Sequence, residues 1–460
     1  IPILIAVAGC AQPVTPGATA STDRGVLDLR GRDFSRHGSI SLNGLWDVYP
    51  GQLLSPGDTG NTDHASGLPL AQEPVNRMYR SMAGNAGGFS TYKLTVILDR
   101  PGDVLSLKIS NIYRAYRVWI DDRPVWQSGT VGTSALTALP GRESRVISFR
   151  PESSAFTITI QSSSFHHRFG GLHGDIFLGS ASTIQSSRDR MLALDLFIFG
   201  GLIIMSVYHF GLFATRRKDR SLLYFALLCL LLSIRALLSG EHFFGDIFPH
   251  SGWELRYRLE YLTAYLSVPA LILFYTSMYP CDRASKYCAF VQYAGFVFPL
   301  AAMLTPVKII NHTLLPFSAY AVTVFLMIIV LLIGEMRERR EGASLFLAGF
   351  LVLLLAGCND VLTSLDIIRS MYLSQIGFLL FVLPQTVALA RRIAHIDMTN
   401  DLREKELLDA DSARLREMMG RKTAEDDIRN LQRRFEFILG STRTGLVIKD
   451  SDHNIRYIDP

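Results

Sequence analysis

Five polar residues stand inside long apolar stretches of the sequence, where ionisable groups are rare: Asp195, Arg235, Glu260, Asn359 and Asp360. A charged side chain is costly in a hydrocarbon environment, so such residues normally turn inward and pair. Their chemistry is that of ion pairs and hydrogen bonds, and we predict that Arg235 meets Glu260 or Asp360. No nucleophile motif, pair of catalytic carboxylates or metal-ligand motif accompanies them, so we expect no catalytic residue, metal or cofactor.

Apolar segments must position these residues. A helix that crosses a bilayer needs about 20 mostly apolar residues. Seven segments meet this requirement, of which the fourth is the shortest: 191–213, 221–239, 256–278, 288–304, 314–334, 343–365 and 372–390. The sequence therefore predicts a multidomain membrane protein built on a seven-helix bundle, residues 188–392.

The loops between the segments alternate in charge. Lysine and arginine in short loops mark the cytoplasmic side of a membrane. Basic residues concentrate in the first, third and fifth loops: Arg216, Arg217, Lys218, Arg220, Arg283, Lys286, Arg337, Arg339 and Arg340. This predicts that the N-terminus lies outside the membrane and the C-terminus in the cytoplasm.

With this topology, the five polar residues inside the apolar stretches lie at a similar depth in the membrane. At a rise of 1.5 Å per residue, each lies about 6–9 Å below the outer boundary of the membrane. One hypothesis is that this polar layer is a latch whose pairing changes when the outer domain binds a ligand. The alternative is that the layer holds the bundle together, or reaches the headgroups, without switching.

The composition agrees with a membrane protein. The chain has 460 residues, 48% of them hydrophobic, and a formal charge of +5. Much of the excess charge lies in the predicted cytoplasmic loops, so no nucleic-acid partner is expected. The lipid bilayer is the expected partner.

The first 23 residues resemble an export segment followed by a tether. Residues 1–9 are apolar, and Val7-Ala8-Gly9-Cys10 resembles a bacterial lipobox, which makes Cys10 a candidate for lipidation. Ordinary signal cleavage beside an incidental cysteine is the alternative. Residues 11–23 are rich in Thr, Pro, Ala and Ser and are predicted to be a tether.

Residues 24–187 are predicted to form a periplasmic β-sandwich. Short segments of alternating apolar and polar residues recur between turn residues, for example Tyr92–Leu98 and Phe156–Ile160. This period of two is typical of half-buried strands, and strands without helices between them favour a sandwich. Residues 50–91 are rich in Gly, Pro and Asn and are predicted to form a long loop over one end of the sandwich.

Several motifs of this domain are similar to the galactose-binding-like jelly roll: Gly44-Leu45-Trp46, Tyr92-Lys93-Leu94, Val118-Trp119-Ile120-Asp121-Asp122 and Phe169-Gly170-Gly171-Leu172. Many members of that fold bind sugars, so the resemblance implies a small-molecule or carbohydrate ligand. Sugar sites combine an aromatic face with a few polar groups. The candidate ligand residues are Tyr113, Arg114, Trp126, His166, His167 and Arg168. Packing in the core or contact with headgroups is the alternative role for them.

The apolar block resembles the bacterial seven-transmembrane receptors with diverse intracellular signalling modules. The resemblance rests on Tyr208-His209-Phe210-Gly211-Leu212, Leu223-Tyr224-Phe225-Ala226-Leu227, Arg258-Leu259-Glu260-Tyr261-Leu262 and Asn359-Asp360-Val361. Proteins of that family join an outer β-domain to seven helices and then to cytoplasmic signalling units. The resemblance implies a sensory receptor of the bacterial inner membrane, with a periplasmic N-terminal domain and a cytoplasmic C-terminus.

Residues 393–434 change to alternating charge with apolar residues at helical spacing. The series Ala424, Ile428, Leu431, Phe435, Ile438 follows the spacing of a coiled-coil seam. We predict a cytoplasmic signalling coil that forms a homodimer. A solvated spacer helix is the alternative.

Residues 435–460 resemble the opening of a PAS domain, which has an α+β fold: a lead helix, a strand, a turn at Asp450–Asn454 and a second strand. The resemblance implies that a truncated PAS domain leads to an output outside this chain. That output is expected to be a histidine kinase, with a diguanylate cyclase as the alternative. A transporter and a membrane-tethered carbohydrate-active protein are the rival classes.

Overall fold

The computed structural model describes residues 22–23, 25–42, 45–58, 66–69, 88–110, 115–141, 144–165, 175–279, 285–340, 342–364, 368, 370, 373–441, 447–449, 451–452 and 455–458. The chain forms two compact units, Ile1–Thr386 and Val387–Pro460. The first unit contains a β-sandwich and the apolar helices. The second contains the C-terminal part of the last helix and a short hairpin.

The sandwich consists of two sheets. Its strands are β1 (Thr22–Asp23), β2 (Val26–Asp28), β3 (Ile40–Ser41), β4 (Leu45–Pro50), β5 (Ser66–Pro69), β6 (Gly88–Ile97), β7 (Leu105–Ser110), β8 (Ala115–Ile120), β9 (Arg123–Ser128), β10 (Arg145–Phe149), β11 (Ala155–Ser164) and β12 (Asp175–Ser180), with a single helical turn, α1 (Phe34–His37). The first sheet has the order β1-β2-β6-β11-β8-β9, and β4 pairs with β5 and β6. The second has the order β10-β7-β12-β3.

One hydrophobic core lies between the sheets. Leu94 and Val96 of β6 and Leu107 and Ile109 of β7 are fully buried in it. Successive side chains of a strand point to opposite faces, so the intervening residues of each strand face away from the core. Trp46 is also fully buried, and its indole N–H donates to the main-chain carbonyl of Leu42 at 2.8 Å.

Five strands were not expected from the sequence: β1, β3, β5, β9 and β12. β5 pairs with β4 inside the segment predicted as a long loop, and β6 begins there at Gly88. β9 contains Pro124 and lies at the edge of its sheet, where a residue without an N–H is tolerated. β12 is a short strand that ends where the first long helix begins.

In the part of the chain that the structure describes, seven helices are long and apolar enough to cross a membrane. The helices of this region are α2 (Ala181–Thr215), α3 (Arg220–Leu238), the short α4 (Phe244–Ile247), α5 (Trp253–Met278), α6 (Ser285–Gly295), α7 (Val297–Leu304), α8 (Val307–Arg337), α9 (Ala343–Ser364) and α10 (Ser374–Ser441). The fourth span is interrupted, because α6 and α7 are separated at Phe296. The predicted combination of a β-sandwich with a seven-helix bundle is confirmed.

The first span differs most from its prediction. Its helix begins at Ala181 instead of 191, because Ser180 caps it: the Ser180 hydroxyl accepts from the Thr183 N–H at 3.2 Å. The added first turns carry Gln185, Arg188 and other polar residues. Hydropathy alone therefore placed the start of the helix too late.

Aromatic side chains connect the spans within the bundle. The rings of Phe225 (α3) and Phe274 (α5) lie 4.8 Å apart between centroids, and Phe274 stacks on Phe346 (α9) at 5.4 Å. All three side chains are fully buried. Such contacts give the bundle a fixed packing without charged residues.

The second unit contains the helical residues from Val387 to Ser441 and an antiparallel hairpin, β13 (Val447–Lys449) with β14 (Ile455–Ile458). Helix is present throughout the segment predicted as a coil. Its predicted seam residues Ile428, Leu431, Phe435 and Ile438 are exposed.

Candidate functional site at the junction of the sandwich and the bundle

The last strand of the sandwich leads directly into the first span. β12 ends at Ser180 and α2 begins at Ala181, so no linker separates the two. The Ala181 N–H donates to the carbonyl of Val104, just before β7, at 3.2 Å. A Cβ on Gly179 would lie 2.9 Å from the Ser39 Cβ, so the glycine allows close packing there. A displacement of β12 must therefore move the start of α2.

A buried ion pair forms a second connection. Lys108 lies on β7 between two core residues and so points to the opposite face of the second sheet. Its ammonium group lies 2.5 Å from the carboxylate of Glu241, in the segment between α3 and α4. The side chains of Lys108 and Glu241 are only 10% and 8% exposed. Ser144, just before β10, donates to the other carboxylate oxygen at 3.3 Å.

Glu241 also contacts the first span through its main chain. Its N–H donates to the carboxylate of Asp195 at 3.0 Å, and Asp195 is 5% exposed. Gly240 has φ +63°, and a Cβ there would collide with the Asp195 carboxylate. We call the group formed by Lys108, Ser144, Glu241 and Asp195 the Glu241 junction. Through Glu241 it connects the sandwich, at Lys108 and Ser144, with the first span, at Asp195.

The remaining predicted polar residues form separate contacts. Arg235 donates to the main-chain carbonyl of Glu260 at 3.1 Å, which connects α3 with α5. This bond uses the peptide carbonyl of Glu260, and the predicted pairing of Arg235 with the carboxylate of Glu260 or Asp360 stays a prediction. Counting residues from a span end gives depth and not the direction around the helix axis, so it cannot choose between partners at one level.

Asp360 serves another role. Its carboxylate accepts from the main-chain N–H of Leu373 at 2.6 Å and of Ser374 at 2.9 Å, at the start of α10. The side chain of Asn359 donates to the same carboxylate at 3.1 Å. A carboxylate at a helix N-terminus accepts hydrogen bonds from the free N–H groups and interacts favourably with the positive end of the helix dipole. The five residues thus occupy three places: the junction, the α3–α5 contact and the start of α10.

Trp126 is the one ligand candidate among the described residues. It lies on β9 and packs against the core, and the Arg145 guanidinium lies 4.6 Å from the centroid of its ring. Its indole N–H is buried and has no hydrogen-bond partner among the described residues. The following candidates, with Cys10, lie outside the described residues: Tyr113, Arg114, His166, His167 and Arg168.

Lys108, Ser144 and Glu241 were missed from the sequence. Lys108 alternates with core residues and so resembles a solvent-facing position, and Glu241 is 133 residues away. One signal was present: an acidic residue just beyond the C-terminus of α3 is unfavourable for the helix dipole and calls for a compensating partner. No group of three His, Cys, Asp or Glu residues that could hold a metal ion occurs among the described residues.

The fold and the junction define a multi-pass membrane protein in which a β-sandwich is attached directly to seven helices. Residues 191–392 match the family model described as 7TM diverse intracellular signalling. This segment is accordingly a seven-transmembrane domain of that signalling family, and the resemblance inferred from the sequence is confirmed. No curated protein matches the chain.

Solved structures similar to the chain include several sugar hydrolases. A GH2 beta-galacturonidase from Eisenbergiella tayi bound to galacturonate is 12% identical, with 31% of this chain and 24% of that chain covered and a TM-score of 0.22. Beta-glucuronidase from Faecalibacterium prausnitzii is 13% identical, with coverages of 30% and 31% and a TM-score of 0.22. Beta-glucosidase from Kluyveromyces marxianus in complex with glucose is 16% identical, with coverages of 35% and 19% and a TM-score of 0.19. The chain spans less than a third of each of these enzymes, and similarities this weak do not bear on its function.

Proposed function

We propose that the chain is a sensory receptor of the bacterial inner membrane. The sandwich lies in the periplasm and binds a small molecule or carbohydrate, the seven helices relay the change, and α10 carries it to a PAS-linked output. The match of the seven-span segment to a signalling family supports the role. The basic loops that contain Arg216–Lys218 and Arg337–Arg340 support the orientation.

The observation that carries the relay is the Glu241 junction. A pair of buried charges is held together strongly, because separating the partners leaves each of them desolvated and unpaired. The Lys108–Glu241 pair therefore moves as a unit, and the Glu241 N–H holds Asp195 of the first span. A shift of β7 relative to the bundle cannot occur without moving α2 or breaking this pair.

Trp126 suggests how ligand binding reaches the junction. Aromatic side chains in sugar sites bind the apolar face of a sugar ring, and the Arg145 guanidinium occupies the position over Trp126 in this structure. A ligand that stacks on Trp126 must displace Arg145 or join it. Arg145 is the immediate neighbour of Ser144, which donates to Glu241. The ligand-binding residue and the junction are thus connected through β10.

The output side of the proposal rests on α10 and on the resemblance of residues 435–460 to a PAS opening. The exposed seam of Ile428, Leu431, Phe435 and Ile438 fits a second copy of the same helix. A homodimer through this coil would deliver the change to a histidine kinase, or alternatively to a diguanylate cyclase. The polar contact between Arg235 and Glu260 is the proposed latch within the bundle.

The test uses the full chain in nanodiscs. A screen of soluble glycans and small metabolites by thermal shift identifies a ligand, and a spin label at Leu431→Cys then measures the distance between two copies. The proposal predicts a distance within the range of a coiled-coil dimer and a change in that distance when ligand is added. The matched control is the double variant Lys108→Met/Glu241→Gln, which should bind the ligand but lose most of the change.

Two results would contradict the proposal. If no distance between the two Leu431→Cys labels were detected in the range of a coiled-coil dimer, the dimeric coil would be refuted. A ligand that binds the sandwich saturably and leaves the Leu431 distance unchanged would refute the relay. Substrate uptake by vesicles that contain only this chain would favour a transporter instead.

A further inference from the structure

The segment between α3 and α5 presents an apolar surface next to the Glu241 junction. Residues 239–252 contain the short helix α4, and the side chains of Ile247 and Phe248 are 44% and 51% exposed. An open cavity of about 310 Å³ lies there, lined mainly by Phe244, Ile247, Phe248, Pro249 and Leu255. Exposed apolar side chains that line one concave surface mark a binding site.

The position of this surface identifies its occupant. The segment is flanked by Leu238, where one candidate span ends, and by Trp253, where the next begins. In the proposed topology it therefore lies at the boundary of the membrane, where the exposed side chains of Ile247 and Phe248 are within reach of the bilayer. Aromatic side chains are enriched at this level because the interface suits an apolar ring near a polar layer. Phospholipid acyl chains are the partner that fits.

The segment is firmly connected to the junction. Glu241 stands three positions before Phe244, and His242 between them has φ +58°. The Gly245 N–H donates to the His242 carbonyl at 3.0 Å, and the Asp246 N–H donates to the Phe243 carbonyl at 3.0 Å. On the other side, Asp246 lies 3.5 Å from Arg188 of α2. A tight hydrogen-bonded turn therefore transmits a movement of the apolar side chains to Glu241.

We propose that residues 239–252 bind phospholipid acyl chains of the leaflet next to the sandwich, and that bilayer packing is a second input to the Glu241 junction. Membrane thickness or lipid order changes the depth of Phe244, Ile247 and Phe248. The turn passes this change to Glu241. The existing hydrogen bond from the Glu241 N–H to Asp195 is then strengthened or weakened. The inference depends on the junction and not on any ligand of the sandwich.

The first experiment tests contact with lipid. The full chain with Phe248→Trp, in a background with Trp253→Phe, is reconstituted in phosphatidylcholine vesicles with and without brominated acyl chains, which quench tryptophan. The matched control is Leu136→Trp, at a position that is 94% exposed in the sandwich. We expect quenching of the Phe248→Trp signal and none of the Leu136→Trp signal. Equal responses of the two reporters would overturn the proposal.

The second experiment tests the input. Hydrogen exchange of the Glu241 amide, which donates to Asp195, is compared in short-chain and long-chain phosphatidylcholine nanodiscs. Hydrophobic mismatch costs fractions of a kcal/mol per Å, so a few ångströms should change the exchange rate about threefold to tenfold. The variant Ile247→Ser/Phe248→Ser should lose this dependence while the Leu107 amide of the sandwich core stays protected. An exchange rate independent of chain length, or the same dependence in the variant, would refute the lipid input.

Discussion

Removing one member of the Lys108–Glu241 pair should destabilise the junction more than removing both. The proposed variants are Glu241→Gln, Lys108→Met and their combination. In Glu241→Gln the ammonium of Lys108 stays buried beside a neutral amide. In Lys108→Met the carboxylate of Glu241 keeps the hydroxyl of Ser144 but loses the ammonium group of Lys108. In the double variant no charge of the pair remains.

The magnitude follows from burial. The two side chains are 10% and 8% exposed and their charged atoms lie 2.5 Å apart. Removing one partner of such a buried pair costs about 3–5 kcal/mol, whereas replacing both by neutral groups is often close to neutral. The double-mutant cycle should therefore give a coupling energy of about 3 kcal/mol or more. The pair of Arg123 and Glu152 is the matched control, because its side chains are 76% and 72% exposed. Its coupling energy should be about 0–1 kcal/mol.

Hydrogen exchange of the Glu241 amide in the full chain is a suitable assay, because its protection reports the free energy of opening at the junction itself. Both single variants should raise the exchange rate strongly, and the double variant should restore most of the protection. If the Lys108–Glu241 cycle gave no more coupling than the Arg123–Glu152 cycle, the pair would be a solvated contact. The argument that it joins the sandwich to the bundle would then fail.

Three further predictions concern single positions. Gly240→Ala should destabilise the junction by more than about 1–2 kcal/mol, because alanine is strained at φ +63° and its Cβ meets the Asp195 carboxylate; unchanged protection of the Glu241 amide would contradict this. Burial raises the pKa of Asp47 above its ordinary 3.8, so the folded protein loses stability as pH rises and the carboxyl ionises. Asp47→Asn should accordingly stabilise the sandwich at neutral pH and have no effect in acid below the ordinary Asp pKa, as measured by thermal unfolding. Arg235→Ala removes a hydrogen bond from a charged donor to the Glu260 carbonyl, worth about 1.5–3 kcal/mol, and should change the basal Leu431 distance; the latch hypothesis is refuted if basal and ligand-bound distances are both unchanged.

The sequence was sufficient for the features that repeat. Apolar runs predicted seven spans, and alternation predicted strands such as β6, β8 and β11, because burial along one face leaves a regular pattern. It did not suffice for β9, an edge strand that contains Pro124, or for the first turns of α2. Those turns are polar, and their helix is established by the Ser180 cap.

The candidate site was harder to predict for a physical reason. Depth along a helix can be counted, so Asp195 was recognised as a buried ionisable residue. Its partner is the main-chain N–H of Glu241, which no side-chain pattern indicates. Lys108 and Glu241 are brought together only by the tertiary fold. The sequence therefore identified one member of the junction and could not identify the contacts that make it a connection.

The central claim is that a change in the sandwich reaches the first span through Glu241. The most direct test is hydrogen exchange at the Glu241 amide in the full chain, in nanodiscs of constant lipid, before and after saturation with a ligand of the sandwich. The account predicts that ligand changes this exchange rate about tenfold or more, which corresponds to about 1.4 kcal/mol. The same ligand should have little effect in Lys108→Met/Glu241→Gln. A ligand that saturates the sandwich while the Glu241 amide exchanges at an unchanged rate would contradict the account.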